Sequence, residues 1–160
     1  FQGGNNVNIG KQATLDGFLA VAEIVKPHII ERTNRQLVIT NASARRVQIT
    51  LSGDPDVRVE EEFEGSLRKK VAIEIKGGTD VSNVHNRAGE AEKSHQKARN
   101  EGFIDFWTII LTKGVDLNKL KAESPTTNAW FDAAQVLGRQ GPDWERFRSR
   151  IVEAVGIPLI

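Results

Sequence analysis

The segments Gly53-Asp54-Pro55-Asp56-Val57 and Val71-Ala72-Ile73-Glu74-Ile75-Lys76-Gly77-Gly78 decide the fold of this chain. Apolar and polar side chains alternate from residue 57 onward and again through the second segment. Alternation with a period of two indicates strands that bury one face. Gly65 and Ser66 lie between the two segments and favour a turn. The sequence therefore predicts an antiparallel β-hairpin.

The register of this hairpin decides where three charged side chains lie. A turn centred on Gly65 places Asp56 opposite Glu74, and a turn centred on Ser66 places it opposite Lys76. Both registers put Asp56, Glu74 and Lys76 on one face and the valines and isoleucines on the other. A slip of one residue would move Asp56 to the apolar face, which burial opposes. We therefore expect the three side chains to converge at one end of the hairpin.

Two carboxylates and a lysine at a strand end can hold a divalent metal beside a water molecule, which is chemistry that breaks phosphodiester bonds. Asp56 and Glu74 are hard oxygen ligands suited to Mg²⁺. Lys76 is expected to orient the water and to stabilise charge on the phosphate. The alternative is an edge hairpin with an ordinary surface ion pair. Asp54 lies outside the alternation and is interpreted as a turn residue.

Composition limits the class of protein. The chain has 160 residues, of which 39% are hydrophobic and 27% charged, and this suits one compact domain. A net charge of +1 gives no overall basic field, so any nucleic-acid binding must use local patches. Without cysteine, disulfides and thiolate metal sites are excluded. Because there is no long apolar run and no signal pattern, we expect a cytoplasmic location and no membrane partner.

Further elements are predicted before the hairpin. Residues 1–12 are rich in Gly and Asn, which favours a loose lead-in. An apolar stripe then predicts a helix that begins after Thr14 as its N-cap and ends at Pro27. Residues 36–40 and 46–51 are rich in β-forming side chains and predict another hairpin. Because the chain begins at Phe1 and has no Met, we expect it to be a fragment of a longer protein.

A helix is predicted after the hairpin, from Ser82 or Asn83 to Asn100, with Gly102 ending it. Its predicted buried face consists of Val84, Ala88, Ala91, His95 and Ala98. Residues 103–112 predict a buried strand, so strand, helix and strand indicate a right-handed crossover to a parallel neighbour.

Two closing helices are predicted, one from Ser124 and Pro125 to about Leu137 and one from about Pro142 to about Val155. The expected fold class is α/β, with a central mixed β-sheet flanked by helices.

The order helix, hairpin with Pro55-Asp56 and Glu74-Ile75-Lys76, helix, strand resembles the PD-(D/E)XK nuclease superfamily over roughly residues 14–112. Residues 75–78 and the helix from His85 to His95 are similar to type II restriction endonucleases, in particular to XcyI-type enzymes, which cut GC-rich palindromes. The resemblance implies a restriction-endonuclease-like core and a single nuclease domain over residues 1–160.

The same resemblance implies the parts of the site. Catalysis would rest on Asp56, Glu74 and Lys76, with Mg²⁺, or Mn²⁺ in its place, held by the two carboxylates and the backbone carbonyl of Ile75. Family members often place an acid on the first helix as an extra ligand, and Glu23 is the candidate, against the alternative of a solvated helix charge. The implied substrate is double-stranded DNA, and the implied assembly is a homodimer.

The helix after the site also offers groups for DNA phosphates. The candidates are His85, Asn86, Arg87, Lys93 and Lys97, with His95 and Gln96 beside them. The alternative is a solvated helix face with charges at ordinary spacing. For the whole chain, the alternatives to a restriction enzyme are a repair or recombination nuclease and a catalytically inactive nuclease-like domain that only binds.

Overall fold

A computed structural model describes the backbone of residues 2–78 and 81–159 and the side chains of residues 10–78 and 82–159. Within these residues, seven strands form one sheet in chain order. They are β1 (Ile29–Arg32), β2 (Gln36–Thr40), β3 (Arg46–Leu51), β4 (Val57–Phe63), β5 (Ser66–Ile75), β6 (Asp105–Ile110) and β7 (Ala129–Asp132). Strands β1 to β5 pair antiparallel, whereas β6 and β7 continue the sheet in parallel from β5. The predicted mixed sheet is confirmed.

Helices cover both faces of the sheet. They are α1 (Gln2–Val25), α2 (Val84–Glu101), α3 (Leu117–Glu123), α4 (Ala133–Gly138) and α5 (Pro142–Val155), with short 3-10 turns at Lys26–His28 and Val81–Asn83. The main core joins α1, α4 and α5 to one face of the sheet. Two smaller clusters join α2 and α3 to the other face. In the described part of the chain, no helix is both long enough and apolar enough to cross a bilayer.

The β4–β5 hairpin has the register that places Asp56 level with Glu74. Val57 pairs with Ile73 and Val59 with Val71, so the valines and isoleucines share the main core as predicted. The two-residue turn consists of Glu64 and Gly65, whose φ angles of 51° and 80° suit a tight hairpin connection.

A β-bulge at Lys70 makes this register possible. Near the turn Glu60 pairs with Lys69, but one step further Val59 pairs with Val71, so Lys70 is an extra residue in β5. Without the bulge, the turn would set a register shifted by one residue. Asp56 would then lie opposite the apolar Ile73, which burial opposes.

The first helix is longer than the sequence predicts. It begins at Gln2, so the expected loose lead-in over residues 1–12 is wrong from residue 2 onward, and Phe1 lies outside the described residues. Extending an existing helix costs less than nucleating one, and each Gly costs only about 1 kcal/mol. Thr14 is not an N-cap, because its hydroxyl donates to the carbonyl of Gly10 within the helix.

The same helix passes very close to the site. A Cβ atom added to Gly17 would lie 2.4 Å from Cδ1 of Ile75, so only glycine fits where α1 crosses the end of β5. The predicted end of the helix is confirmed, because α1 stops at Val25 and Pro27 lies in the following 3-10 turn.

The predicted extent and buried face of α2 are confirmed. It ends at Gly102, whose φ of 113° forms the C-cap, and the whole predicted face of small residues is buried. Strand β6, at Asp105–Ile110, is shorter than the predicted 103–112 and pairs parallel to β5.

The predicted helix from Ser124 to Leu137 is wrong. Its place is taken by a turn, strand β7 and the short helix α4, and the preceding helix α3 was not predicted. Trp130 and Phe131 favour a strand, and Asn128 joins this segment to β6 through two hydrogen bonds with the backbone of Phe106. Asp132 then caps α4 by accepting from the backbone N–H of Gln135. The last predicted helix is confirmed at Pro142–Val155.

Candidate active site

The open end of the β4–β5 hairpin joins Asp56 to Glu74. The backbone N–H of Asp56 donates to Oε2 of Glu74 at 3.1 Å. In return, the backbone N–H of Ile75 donates to Oδ2 of Asp56 at 2.8 Å. Each carboxylate is thus fixed by the backbone of the opposite strand. The structure brings the two predicted acids together as the hairpin register requires.

Lys76 completes this group. Its Nζ lies 3.5 Å from Oε1 of Glu74 and 4.0 Å from Oε2 of Glu90. Its backbone N–H donates to the carbonyl of Ile109, so the parallel pairing with β6 continues one residue beyond β5 and holds the chain straight. The Asp56 cluster, defined as Asp56, Glu74 and Lys76, therefore lies at strand ends: Glu74 is within β5, Asp56 immediately precedes β4 and Lys76 immediately follows β5.

With both acids ionised, the Asp56 cluster would carry more negative charge than Lys76 offsets, so the protonated forms are favoured. Burial raises the pKa of Glu74 to about 8, the Asp56 carboxylate adds to this shift, and Lys76 opposes it. Burial also raises the pKa of Asp56, against the hydrogen bond from Ile75 and the charge of Lys76. In both groups the largest cause is the loss of water on burial; the second carboxylate that raises the pKa is Asp56 for Glu74 and Asp54 for Asp56. A bound cation would lower the pKa of both carboxyl groups.

A cleft of about 720 Å³ opens over this end of the hairpin. Asp56, Ile75 and Lys76 line it, whereas Glu74 lies beneath it with 1% of its surface exposed. The other lining residues come from α1, from α2, and from the loops and strand ends around β2, β3 and β5; they are Gly10, Lys11, Thr14, Leu15, Arg35, Leu51, Gly53, Gly77, Arg87 and Glu90. The cleft that leads to Asp56 is therefore bordered by both α1 and α2.

The donor chemistry of the cluster fits a hard divalent cation. Each carboxylate uses one oxygen to accept a backbone N–H; Oδ1 of Asp56 then remains for a further partner, and Oε1 of Glu74 lies beside Nζ of Lys76. Among the described side chains, those of residues 10–78 and 82–159, no group of three His, Cys, Asp or Glu is arranged to hold a metal. Two carboxylates, a backbone oxygen, water and phosphate form the kind of shell that Mg²⁺ takes.

Two other acids lie outside the cluster. Glu23, the candidate extra ligand, is exposed and accepts a hydrogen bond from Nε of Arg139 at 2.7 Å. It does not line the cleft. Asp54 pairs with Lys97 at 3.4 Å, in agreement with its interpretation as a turn residue.

The structure divides the residues predicted to bind DNA on α2. Arg87 lines the cleft and lies against Gly78. Asn86 and Lys93 are exposed outside the cleft lining, and Lys97 forms the ion pair with Asp54. His85 is half-buried, and within the described residues its Nδ1 has no hydrogen-bond partner.

Comparison with known proteins identifies the family. A family model described as XcyI restriction endonuclease matches residues 1–158. This chain belongs to the XcyI restriction endonuclease family. The predicted resemblance to XcyI-type restriction endonucleases is thereby confirmed.

Two relatives of this XcyI family member are known by name. Type II restriction enzyme Cfr9I of Citrobacter freundii is 39% identical over 157 residues, which are 98% of this chain and 48% of that enzyme. Type II restriction enzyme XcyI of Xanthomonas campestris pv. cyanopsidis is 39% identical over 158 residues, which are 98% of this chain and 47% of that enzyme. The chain spans about half the length of these relatives. No solved structure matches it significantly.

Sequence reasoning missed a buried polar network beside the Asp56 cluster of this XcyI family member. Thr108 of β6 is level with Glu74, and its hydroxyl lies 2.9 Å from Nε2 of His95. The network continues through Thr127 and Ser124 to the carboxylate of Glu92, which also accepts from Thr126 and Gln96. Burial lowers the pKa of His95 to about 4, so this ring is neutral near pH 7.

The candidate role of His95 in DNA binding is therefore wrong, whereas its predicted place on the buried face of α2 is confirmed. His95 is fully buried, because it continues the small-residue face of α2, and Gln96 donates to Glu92. The spacing carried a signal for Glu92, which lies four residues after the buried Ala88 and three before His95. Its charge concealed this signal, since charged residues are seldom buried without partners.

Proposed function

We propose that this chain is the catalytic part of an Mg²⁺-dependent type II restriction endonuclease that hydrolyses phosphodiester bonds in double-stranded DNA. The observation that carries the proposal is the contact of Asp56, Glu74 and Lys76 at the edge of an open cleft. Membership of the XcyI family favours restriction over DNA repair or recombination. The presence of all three groups in contact argues against an inactive nuclease-like domain.

The residues of the cluster have separate roles in this proposal. Asp56 and Glu74, with the carbonyl of Ile75, hold the metal. When bound, Mg²⁺ polarises the phosphate and acidifies a water molecule, and Mn²⁺ can take its place. Lys76 orients the attacking water and stabilises negative charge on the phosphate, since its Nζ lies at the junction of Glu74 and the cleft. The backbone hydrogen bonds of Asp56 and Ile75 keep these groups aligned.

Helix α2 supplies phosphate contacts in this proposal. Of His85, Asn86, Arg87, Lys93 and Lys97, only Arg87 lines the cleft, so it is the first choice for a contact near the cut. Lys93 and Lys97 lie further along the exposed face, where Lys97 must leave Asp54 to bind a phosphate.

The proposed substrate also suggests an assembly and a location. Cutting both strands of a palindrome is natural for a two-fold symmetric dimer, so we propose a homodimer. We also propose a cytoplasmic location, since the proposed substrate is DNA inside the cell.

Nicking of supercoiled plasmid DNA tests the mechanism. Cleavage should require Mg²⁺ or Mn²⁺, stop in EDTA and disappear in the Glu74→Ala variant, while DNA binding largely survives. Lys76→Ala should also abolish cleavage. If Glu74→Ala cuts at the parent rate with EDTA present, the metal mechanism is wrong.

A further inference from the structure

Two cations line the cleft on the side that α2 does not cover. Lys11 lies on α1, which packs on the sheet face opposite to α2, and Arg35 lies immediately before β2. Neither residue was singled out by its sequence pattern. Both join the cleft lining only because the fold brings distant segments to the open end of the β4–β5 hairpin.

Lys11 is presented by one face of α1. Lys11, Thr14 and Leu15 are three and four residues apart, share that face and all line the cleft. The Lys11 side chain is exposed, and within the described residues it forms no ion pair. Its charge is therefore available to a ligand in the cleft.

Arg35 is held in place without using up its charge. Its Nη2 donates to the carbonyl of Leu51 at 2.8 Å, and its backbone carbonyl accepts from the N–H of Leu51. A guanidinium has five N–H donors, so four remain for other partners. Among the described residues Arg35 has no acidic partner. It is thus positioned before any ligand arrives, which lowers the entropy cost of binding an anion.

The charges of the cleft favour an anion on both of its sides. Its lining contains four cations, Lys11, Arg35, Lys76 and Arg87, against the two carboxylates Asp56 and Glu90. The lining therefore has a formal charge of +2, although the net charge of the whole chain is only +1. Because α1 and α2 pack on opposite faces of the sheet, Lys11 and Arg87 border the cleft from opposite sides, and a chain of phosphates reaching from one to the other would cross the cleft that Asp56 lines.

We infer that Lys11 and Arg35 bind backbone phosphates of duplex DNA from the α1 side of the cleft, across from Arg87. This inference rests on the proposed function for its ligand and adds the residues that hold the strand beside the cluster. Such contacts position DNA without reading its sequence. Each contact also releases counterions, so it contributes about one unit to the slope of log affinity against log salt.

Salt-dependent binding tests the inference. Fluorescence anisotropy with short duplexes of scrambled sequence, in EDTA, gives the slope for the full chain. Lys11→Ala and Arg35→Ala should each lower the slope by about one unit, and the double variant by about two. Arg35→Lys keeps the charge and should keep the slope.

Two matched controls remove the same charge elsewhere. Lys26 follows α1 and Arg99 lies in the last turn of α2; both are exposed and absent from the cleft lining. Lys26→Ala and Arg99→Ala should leave the slope of the parent unchanged. A slope that is unchanged in both cleft variants, or that falls equally in the controls, overturns the inference. The same holds if the parent does not bind duplex DNA.

Cleavage is measured separately with Mg²⁺, which distinguishes the two proposals. A parent that binds DNA through Lys11 and Arg35 but never cuts it contradicts the proposed endonuclease and supports the inference. A parent that cuts while both variants retain its slope contradicts the inference and leaves the endonuclease standing. Thermal unfolding of each variant verifies that the fold is intact.

Discussion

The β4–β5 hairpin carries two acid–lysine groups with nearly the same parts and different consequences. In the Asn41 cluster, defined as Asn41, Glu61 and Lys70, Oε2 of Glu61 accepts from Nδ2 of Asn41 at 2.6 Å and Oε1 lies 3.9 Å from Nζ of Lys70. In the Asp56 cluster, Oε2 of Glu74 accepts a backbone N–H and Oε1 lies 3.5 Å from Lys76. Both glutamates are buried.

The two clusters differ in their third member, which is Asn41 in one and Asp56 in the other. Asn41 is an amide that also donates to the carbonyl of Val155 and accepts from the backbone of Ser43 and Arg45, so its hydrogen bonds are all made. Lys70 donates to the carbonyl of Ala154, and the cluster thereby satisfies the end of α5. At the other site a carboxylate takes the place of the amide and adds charge. The buried acid with an amide and a lysine has all its hydrogen bonds satisfied, whereas the two acids with one lysine suit the proposed cation.

The largest expected effect is the difference in DNA cleavage between matched variants of Glu74 and Glu61. Glu74→Gln keeps the shape of the side chain but removes a proposed metal ligand, so DNA cleavage should fall by on the order of 10³-fold or more. Glu61→Gln is the matched change in the Asn41 cluster and should leave cleavage per folded molecule near the parent level. Initial rates on plasmid DNA provide the measurement. Equal losses in both variants would remove the functional distinction.

Asn41→Asp should convert the stabilising cluster into a destabilising one. The change puts a second carboxylate beside Glu61 and removes the donor to Val155, so the free energy of unfolding should fall by about 3–5 kcal/mol. Urea denaturation at neutral pH measures it. The same substitution at the exposed Asn34 should change stability by no more than about 0.5 kcal/mol. A small effect at Asn41 would mean that the amide is dispensable.

Protonation of His95 also makes the free energy of unfolding depend on pH. This effect must be measured apart from the effects of the two clusters. Its pKa is lowered to about 4 in the folded chain, against 6.5 for the free group. The unfolded state therefore binds a proton at higher pH than the folded state. The resulting stability is fully present above pH 6.5 and is lost as the pH falls towards 4, by about 3 kcal/mol in total.

Urea denaturation of His95→Gln over the same pH range tests this expectation. The variant should show a smaller loss between pH 6.5 and 4, since the carboxylates are common to both proteins. Parallel curves for parent and variant would assign the acid sensitivity to other groups.

The smallest effect is expected from making the Asp56 cluster resemble the Asn41 cluster. Asp56→Asn retains an oxygen for the N–H of Ile75 and removes the charge that disfavours ionisation of Glu74. In metal-free buffer the variant should be about 1 kcal/mol more stable than the parent, although cleavage is lost. Added Mg²⁺ should stabilise the parent more than the variant. A destabilised variant would show that the two acids do not repel each other in the folded chain.

The sequence predicts the hairpin, the two flanking elements and the cluster because they depend on local alternation and spacing. Asp56, Glu74 and Lys76 meet because strand periodicity fixes the faces and burial fixes the register. The predictions fail where tertiary packing decides. Trp130 and Phe131 fit either a helix or a strand until Asn128 joins them to β6. Turn chemistry alone did not reveal that choice.

The rest of the site depends on contacts that no local pattern contains. Lys11 and Arg35 enter the cleft through the packing of α1 and the ends of β2 and β3. Glu92 is buried because Ser124 and Thr126, more than thirty positions away, donate to it. Glu23 also has a partner from a distant segment, since Arg139 pairs with it outside the cleft lining. Spacing within one helix does not predict such partners.

Because β5 contains the bulge at Lys70, it matters whether an odd or an even number of residues is added to the strand or removed from it. Adding or removing two residues between the turn and the cluster preserves which side chains face the core. A change of one residue moves every side chain between that point and the open end of the hairpin to the opposite face of the sheet. An odd step must be offset by losing the bulge or gaining a second one.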